Sequence, residues 1–200
     1  AALDKLLQLQ KDAGSFSWFK GGPDDRYITQ VIMTGIGKLQ NLGALPADGK
    51  TDIQEMTRKA MDFADAAIER DYNDLIRFKA DLTKNNLSPI QVHYLFMRSY
   101  FPGNKKASIA YAYYFNQAKK YWVEQSTYTK AMIAAIMYRS GEKDLAMQKI
   151  VPSIIENAVQ DKEAGMYWKD AGSGYYWYQN PLERQALIIE VMNEIAAKEK

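Results

Sequence analysis

The sequence predicts an all-α protein built from amphipathic helices joined by tight loops. Apolar residues recur at helical spacing through most of the chain. Residues that start and stop helices bracket these stretches. No sustained alternation of apolar and polar residues bounded by turns is present, so strands are not predicted.

The first well-marked helix carries one apolar stripe and ends at Gly43, a residue suited to a helix C-terminus. Its stripe consists of Ile28, Val31, Ile32, Ile36, Leu39 and Leu42. The next helix is predicted to open at Thr51, which forms a capping-box pattern with Gln54. It continues through Ile53, Met56, Ala60, Phe63 and Ala67.

Two later helices have similar start signals, a polar capping residue followed by proline and then by an amide or acidic side chain. Ser88–Pro89 with Gln91 predicts one start, and Asn180–Pro181 with Glu183 predicts the last. Pro102–Gly103 is expected to break the first of them. Between these helices, the predicted helices cover residues 107–124, 127–139 and 143–159.

Residues 105–138 are rich in aromatic residues and alanines on several helix faces. A helix that is apolar nearly all round is covered by neighbours on more than one side. The pattern predicts inner helices screened by outer ones.

Composition favours one domain with a substantial core, since 47% of the 200 residues are hydrophobic. The 26 basic and 24 acidic residues nearly balance, which predicts no nucleic-acid partner.

The longest apolar run, residues 131–138, is too short to span a membrane. The chain opens on an amphipathic stretch without an initiator Met, so we interpret it as a piece of a larger multidomain protein.

A faint internal repeat connects the two ends of the chain. Gly and aromatic residues precede the helix near Tyr27 and again precede the helix at Pro181. Repeated helix hairpins with similar joints are typical of helical solenoids and closed toroids. The residues are Gly14, Phe16 and Trp18 in the first copy, and Gly165, Tyr167, Trp168 and Trp177 in the second.

The spacing Gln10-x-x-x-Gly14-x-Phe16 resembles the glutamine and aromatic motif of α/α toroids, the fold of terpenoid cyclases, prenyltransferases and complement-like thioester domains. The glycine permits a tight approach at a helix end, and the glutamine can satisfy open backbone groups there. We therefore predict structural joints in which Trp18 and Trp168 are buried and the rings of the 14–30 loop face inward. The predicted joint residues are Gln10, Gly14, Phe16, Trp18, Gly165 and Trp168.

Longer stretches resemble the bacterial alpha-2-macroglobulin family. The three segments are GSFSWFKGGPDDRYITQVI at 14–32, YLFMRSYF at 94–101 and YWYQNPLERQALIIEVMNEI at 176–195. The resemblance implies an incomplete toroid of helix hairpins within a protease-trapping inhibitor, with no enzymatic activity and no cofactor. It also implies a periplasmic or extracellular location at the cell envelope, with proteases and other domains of the parent protein as partners.

One departure concerns the thioester of that family, which needs a Cys-Gly-Glu-Gln segment. The chain has no cysteine and cannot form this bond. Two interpretations stay open: the chain begins after that segment, or the protein belongs to members that lack it.

The sequence lacks the residues that a terpenoid cyclase or a prenyltransferase would need for its active site. A cyclase DDxxD motif would need an acid at Ile28, and a prenyltransferase zinc site would need cysteine and more than the single His93. No metal site is predicted, and His93 is interpreted as a structural hydrogen-bonding residue.

The alternative function is a helical toroid that binds or hydrolyses polysaccharide. Aromatic residues in a loop can stack on sugars, and paired carboxylates across a cleft can cleave them. We expect Asp24 and Asp25 to lie at the solvent edge of their loop and to favour the N-terminus of the following helix. The candidate binding residues are Tyr175, Tyr176 and Trp177; the candidate acids are Asp24, Asp25, Asp161, Glu163 and Asp170.

Overall fold

The computed structural model describes residues 2–45, 50–102, 108–169 and 180–198. These residues are mostly helical, which confirms the all-α prediction, while the toroid stays a prediction. They form two compact units: residues 1–84 with 100–113, and residues 85–99 with 114–200. Across the described part of the chain, no helix is long and apolar enough to cross a membrane.

The first unit contains α1 (Ala2–Leu9), α2 (Arg26–Asn41) and α3 (Lys50–Arg77). Helix α3 packs against both α1 and α2. Gly43 ends α2 with a left-handed φ of +64°, as the sequence predicts. The core of the unit is apolar and includes Met33, Ile36, Met56, Ala60, Met61, Ala64 and Ile68.

The start and the end of α3 differ from the prediction. Thr51 is not the residue before the helix, because α3 already includes Lys50. The helix also continues beyond Ala67, to Arg77. Two residues after its end, Lys79 has a φ of +53°, and the amide of Ala80 donates to the carbonyl of Leu75 at 2.9 Å. A glycine usually holds that left-handed position, so the sequence carries no clear stop signal there.

The second unit contains α4 (Pro89–Arg98) and α6 (Thr127–Arg139), and α6 has the predicted bounds. Helix α5 (Ile109–Tyr121) has residues in both units. The remaining elements are a 3-10 turn (Trp122–Glu124), α7 (Lys143–Leu145), a π-helical turn (Ala146–Ile150), α8 (Val151–Glu156), strands β1 (Val159–Asp161) and β2 (Gly165–Tyr167), and α9 (Pro181–Lys198).

Helix α6 lies at the centre of the second unit. It packs against α4, α9 and the π-helical turn. For α6, this confirms the prediction of an inner helix covered on several faces, whereas α5 from the same stretch has exposed positions such as Ile109, at 74%. Its buried residues are Tyr128, Thr129, Ala131, Met132, Ile133, Ala134, Ala135, Ile136, Met137 and Tyr138.

An ion pair ties α6 to α9. The guanidinium Nε of Arg139 donates to Glu194 at 3.0 Å, and its Nη1 donates to the hydroxyl of Ser99 at 2.8 Å. The Arg139 side chain is 9% exposed and that of Glu194 is 17% exposed. At this depth the pair is little screened by solvent, so losing one partner would leave a buried charge.

The predicted starts of α4 and α9 are confirmed. Gln91 Oε1 accepts a hydrogen bond from the amide of Ser88 at 2.9 Å. Asn180 Oδ1 accepts from the amide of Leu182 at 3.0 Å and from that of Glu183 at 3.3 Å. These side chains satisfy backbone donors that a helix N-terminus leaves open.

A short hairpin replaces the predicted end of the 143–159 helix. Helix α8 stops at Glu156, and β1 pairs with β2 in antiparallel register. The Asp161 carboxylate accepts from the amides of Glu163 at 2.8 Å and Ala164 at 2.7 Å. These two bonds close the turn, and Gly165 follows with a φ of +74°. Three-residue strands are too short to give a visible alternating pattern.

Candidate functional site

The opening joint links the end of α1 to α3 through one glutamine. Gln10 Nε2 donates to the carbonyl of Gly14 at 3.0 Å and to that of Met56 at 2.9 Å. The side chain thus satisfies backbone oxygens on two segments that are distant in sequence. The sequence predicts that this glutamine satisfies open backbone groups at a helix end, whereas the Met56 carbonyl lies inside α3.

Gly14 lies where the loop comes closest to α3. Its φ is +86°, and a Cβ built there would lie 2.2 Å from the carbonyl oxygen of Lys59. Both the backbone conformation and the close approach require a residue without a side chain.

Phe16 fixes the loop to the start of α2. Its side chain is 1% exposed, and its amide donates to Thr29 Oγ1 at 2.9 Å. The Thr29 hydroxyl in turn donates to the carbonyl of Asp25 at 2.7 Å, and the Asp25 amide donates to the carbonyl of Phe16 at 2.9 Å. This ring of hydrogen bonds closes residues 16–25 into a loop with its ends paired.

The prediction that Trp18 is buried is wrong, because Trp18 faces outward and is 67% exposed. Its indole Nε1 donates to Asp25 Oδ2 at 3.0 Å, while Asp25 Oδ1 caps α2 by accepting from the amide of Ile28 at 2.8 Å. An indole N–H needs an acceptor, and Asp25 offers one on the outer side of the loop. The capping role predicted for an aspartate here is confirmed for Asp25.

Phe19 is also 67% exposed, so the expectation of inward-facing rings fails for both residues. The amide of Gly22 donates to the carbonyl of Phe19 at 2.9 Å, and the hydroxyl of Ser17 donates to the same carbonyl at 2.7 Å. The ring of Tyr27 lies 6.0 Å from that of Trp18, between centroids. We call Trp18, Phe19 and Tyr27 the aromatic platform.

Asp24 interacts with Lys11 and Ser15. Asp24 Oδ1 is 2.6 Å from Lys11 Nζ and accepts from the Ser15 hydroxyl at 2.7 Å. The hydrogen bond from Lys11, followed by that from Ser15, lowers the pKa of Asp24 below its usual value of 3.8. Asp24 is therefore ionised at neutral pH. Lys11, whose role the sequence pattern did not indicate, also donates to the carbonyl of Gly22 at 2.9 Å.

The second joint buries Trp168, which is 3% exposed as predicted. Its indole Nε1 donates to the carbonyl of Ile154 at 2.7 Å, near the end of α8. Gln185 Oε1 accepts from the amide of Trp168 at 3.3 Å, and Gln185 Nε2 donates to its carbonyl at 2.6 Å. In both joints, a buried ring is tied through its backbone to a polar side chain on the next helix.

Among the residues that the structure describes, the other candidates do not form a site. His93 is buried within α4. In the described ranges, no group of three or more His, Cys, Asp or Glu side chains could hold a metal ion. Tyr175, Tyr176, Trp177 and Asp170 lie outside the described residues.

Comparison with family models, curated proteins and solved structures finds no match to the chain.

Proposed function

We propose that the chain is a structural toroid segment of an alpha-2-macroglobulin-like protein that acts in protease entrapment. The observation that carries the proposal is the joint formed by Gln10, Gly14 and Phe16. Residues that resemble the family motif hold the end of α1, the loop and α3 together through hydrogen bonds and a close backbone approach. In this role the chain supplies packing surfaces and no reaction chemistry.

The matched residues in the second unit support the same interpretation. Gln185, which lies in the 176–195 segment that resembles the family, pairs with both backbone groups of Trp168. Glu183, from the same segment, accepts a hydrogen bond from the Tyr128 hydroxyl at 2.9 Å. Both residues therefore serve packing between helices.

Two of the five candidate acids, Asp24 and Asp161, are poorly suited to act as the acid of a hydrolase. A glycosidase needs one carboxylic acid whose pKa is raised, so that it can protonate the leaving group. Lys11 and Ser15 lower the pKa of Asp24, and the backbone amides of Ala164 and Glu163 lower the pKa of Asp161. Each is ionised at neutral pH and is poorly suited to donate a proton.

The proposal gives the segment a mechanical role. Cleavage of a protease-sensitive (bait) segment elsewhere in the parent protein would rearrange its domains. The hydrogen-bonded joints would let each unit move without changes in its internal packing. Its partners would be other domains of the parent and the trapped proteases, at the periplasmic or extracellular side of the cell envelope.

The test uses the full-length protein incubated with trypsin. A trapped protease keeps its active site open to small molecules but is shielded from large ones. We expect trypsin to retain cleavage of a small peptide amide and to lose cleavage of casein. Trypsin inactivated beforehand at its active-site serine is the control, because it cannot cut the bait and should stay outside. Equal cleavage of casein with and without the protein would contradict the proposal.

A further inference from the structure

We propose that Met166 is a reversible oxidation site, which takes up one oxygen atom from a peroxide as methionine sulfoxide while the fold is kept. The residue lies on β2, the strand that precedes Trp168. This inference does not rest on the proposed function.

Methionine thioethers are the only sulfur groups of the chain. It has nine methionines and no cysteine. A cysteine thiolate is a good nucleophile and would compete for an oxidant. In its absence, two-electron oxidation of sulfur falls on the thioethers, and accessibility decides which of them reacts first.

Met166 is the most exposed of the nine methionines, all of which the structure describes. It is 41% exposed, whereas Met147 and Met192 are half-buried. An oxidant reaches a fully buried sulfur only through a local opening of the core, and the free energy of that opening slows the reaction. The remaining six methionines are no more than 3% exposed: Met33, Met56, Met61, Met97, Met132 and Met137.

The hairpin holds Met166 on a solvent-facing side. Met166 pairs with Gln160 across the two strands, and residues directly opposite each other share one face of a sheet. Gln160 is exposed as well. The Asp161 carboxylate closes the turn by accepting from the amides of Glu163 and Ala164. The exposure of Met166 is therefore a property of a paired strand with a closed turn.

The reaction is a transfer of one oxygen atom. A lone pair of the Met166 sulfur attacks one oxygen of hydrogen peroxide, so that an S–O bond forms while the O–O bond breaks. The displaced hydroxide takes the proton of the sulfur-bound hydroxyl, which leaves the sulfoxide and water. Sulfur loses two electrons and the peroxide gains them.

The position of Met166 also limits the structural consequence. A sulfoxide oxygen is polar and needs hydrogen bonds, which solvent supplies on the exposed face of the hairpin. In the core, the same oxygen would lie among apolar side chains and would destabilise the packing. Oxidation at Met166 therefore leaves the fold intact, and the exposed sulfoxide is open to enzymatic reduction.

The test treats the full chain with one equivalent of hydrogen peroxide and locates the added oxygen by mass spectrometry of its peptides. We expect Met166 to be oxidised at least about tenfold faster than any buried methionine, and faster than Met147 and Met192. The melting temperature of the singly oxidised chain should equal that of the untreated chain. Methionine sulfoxide reductases should remove the added oxygen.

Met166→Leu removes the sulfur and nearly conserves the side-chain volume. At the same dose it should slow the consumption of peroxide and move the remaining oxidation to Met147 and Met192. Met192→Leu is the matched control, because it removes a half-buried sulfur. It should leave oxidation at Met166 unchanged. Circular dichroism establishes that each variant is folded.

Three results would overturn the proposal. The first is oxidation of any other methionine at the rate of Met166 or faster. The second is a lower melting temperature of the chain that carries its only sulfoxide at Met166. The third is a sulfoxide at Met166 that the reductases do not remove.

Discussion

Replacing Gly14 by alanine is expected to destabilise the protein by about 2–5 kcal/mol, the sum of backbone strain and overpacking. The new Cβ would lie 2.2 Å from the Lys59 carbonyl oxygen, and the φ of +86° disfavours any residue with a side chain. Because the obstacle is backbone, it can move away only if α3 shifts. The free energy of unfolding, measured with urea, tests this expectation.

Gly21→Ala provides the matched control. Gly21 has a similar φ of +80°, but a Cβ there would have no atom within 4 Å. This variant should therefore show only the backbone strain, about 1–2 kcal/mol. Equal losses of stability in the two variants would mean that the approach of Gly14 to α3 does not constrain the joint.

Trp168→Ala is expected to cost about 3–5 kcal/mol, the usual range for truncating a buried tryptophan. The side chain is 3% exposed, and its indole N–H satisfies the carbonyl of Ile154. Truncation leaves a cavity between α8 and α9 and removes this hydrogen bond, while the Ile154 carbonyl keeps its bond from the Asn157 amide at 3.2 Å. Chemical denaturation followed by circular dichroism measures the loss.

The contrasting variant is Trp18→Ala. Since Trp18 is 67% exposed, its truncation should change the stability by no more than about 1 kcal/mol. A large loss at Trp18 together with a small loss at Trp168 would show that the orientations of the two rings are assigned the wrong way round.

The starts of α2, α4 and α9 were predictable because their signals are local. Asn180 acts as a cap through short hydrogen bonds to amides two and three residues away, and Asp25 caps α2 in the same way. The bounds of α6 followed from a polar residue at each end of an apolar stretch. Such interactions depend on neighbouring residues and leave a pattern in the sequence.

The direction of Trp18 was not predictable by the same reasoning. Its orientation depends on Asp25 Oδ2, and an aspartate at a helix start gives no sign of how its second oxygen is used. The end of α3 was missed for a comparable reason, since Lys79 holds a conformation that usually requires glycine. In both places, tertiary or local context outweighs the average preference of the residue type.

From the sequence, the candidate site could be predicted only as a structural loop, without the exposure of its rings or the contacts of Lys11. The sequence indicated a joint with Gln10, Gly14 and Phe16, and their contacts agree with that role. Lys11 gave no signal, because a lysine at a helix end is ordinarily solvated. The aromatic platform followed only from the exposure of Trp18 and Phe19 in the structure.

The central claim is that the two Gly-aromatic loops are rigid structural joints. Native-state hydrogen exchange at the amides of Phe16 and Trp168 tests it most directly, with Met33 in α2 and Ile133 in α6 as buried helical references for their units. Each joint amide is hydrogen-bonded to a side chain on the next helix. We predict that Phe16 and Trp168 exchange only through openings similar in free energy to those of their references. Exchange at the rate of an exposed turn, while Met33 and Ile133 stay protected, would contradict the account.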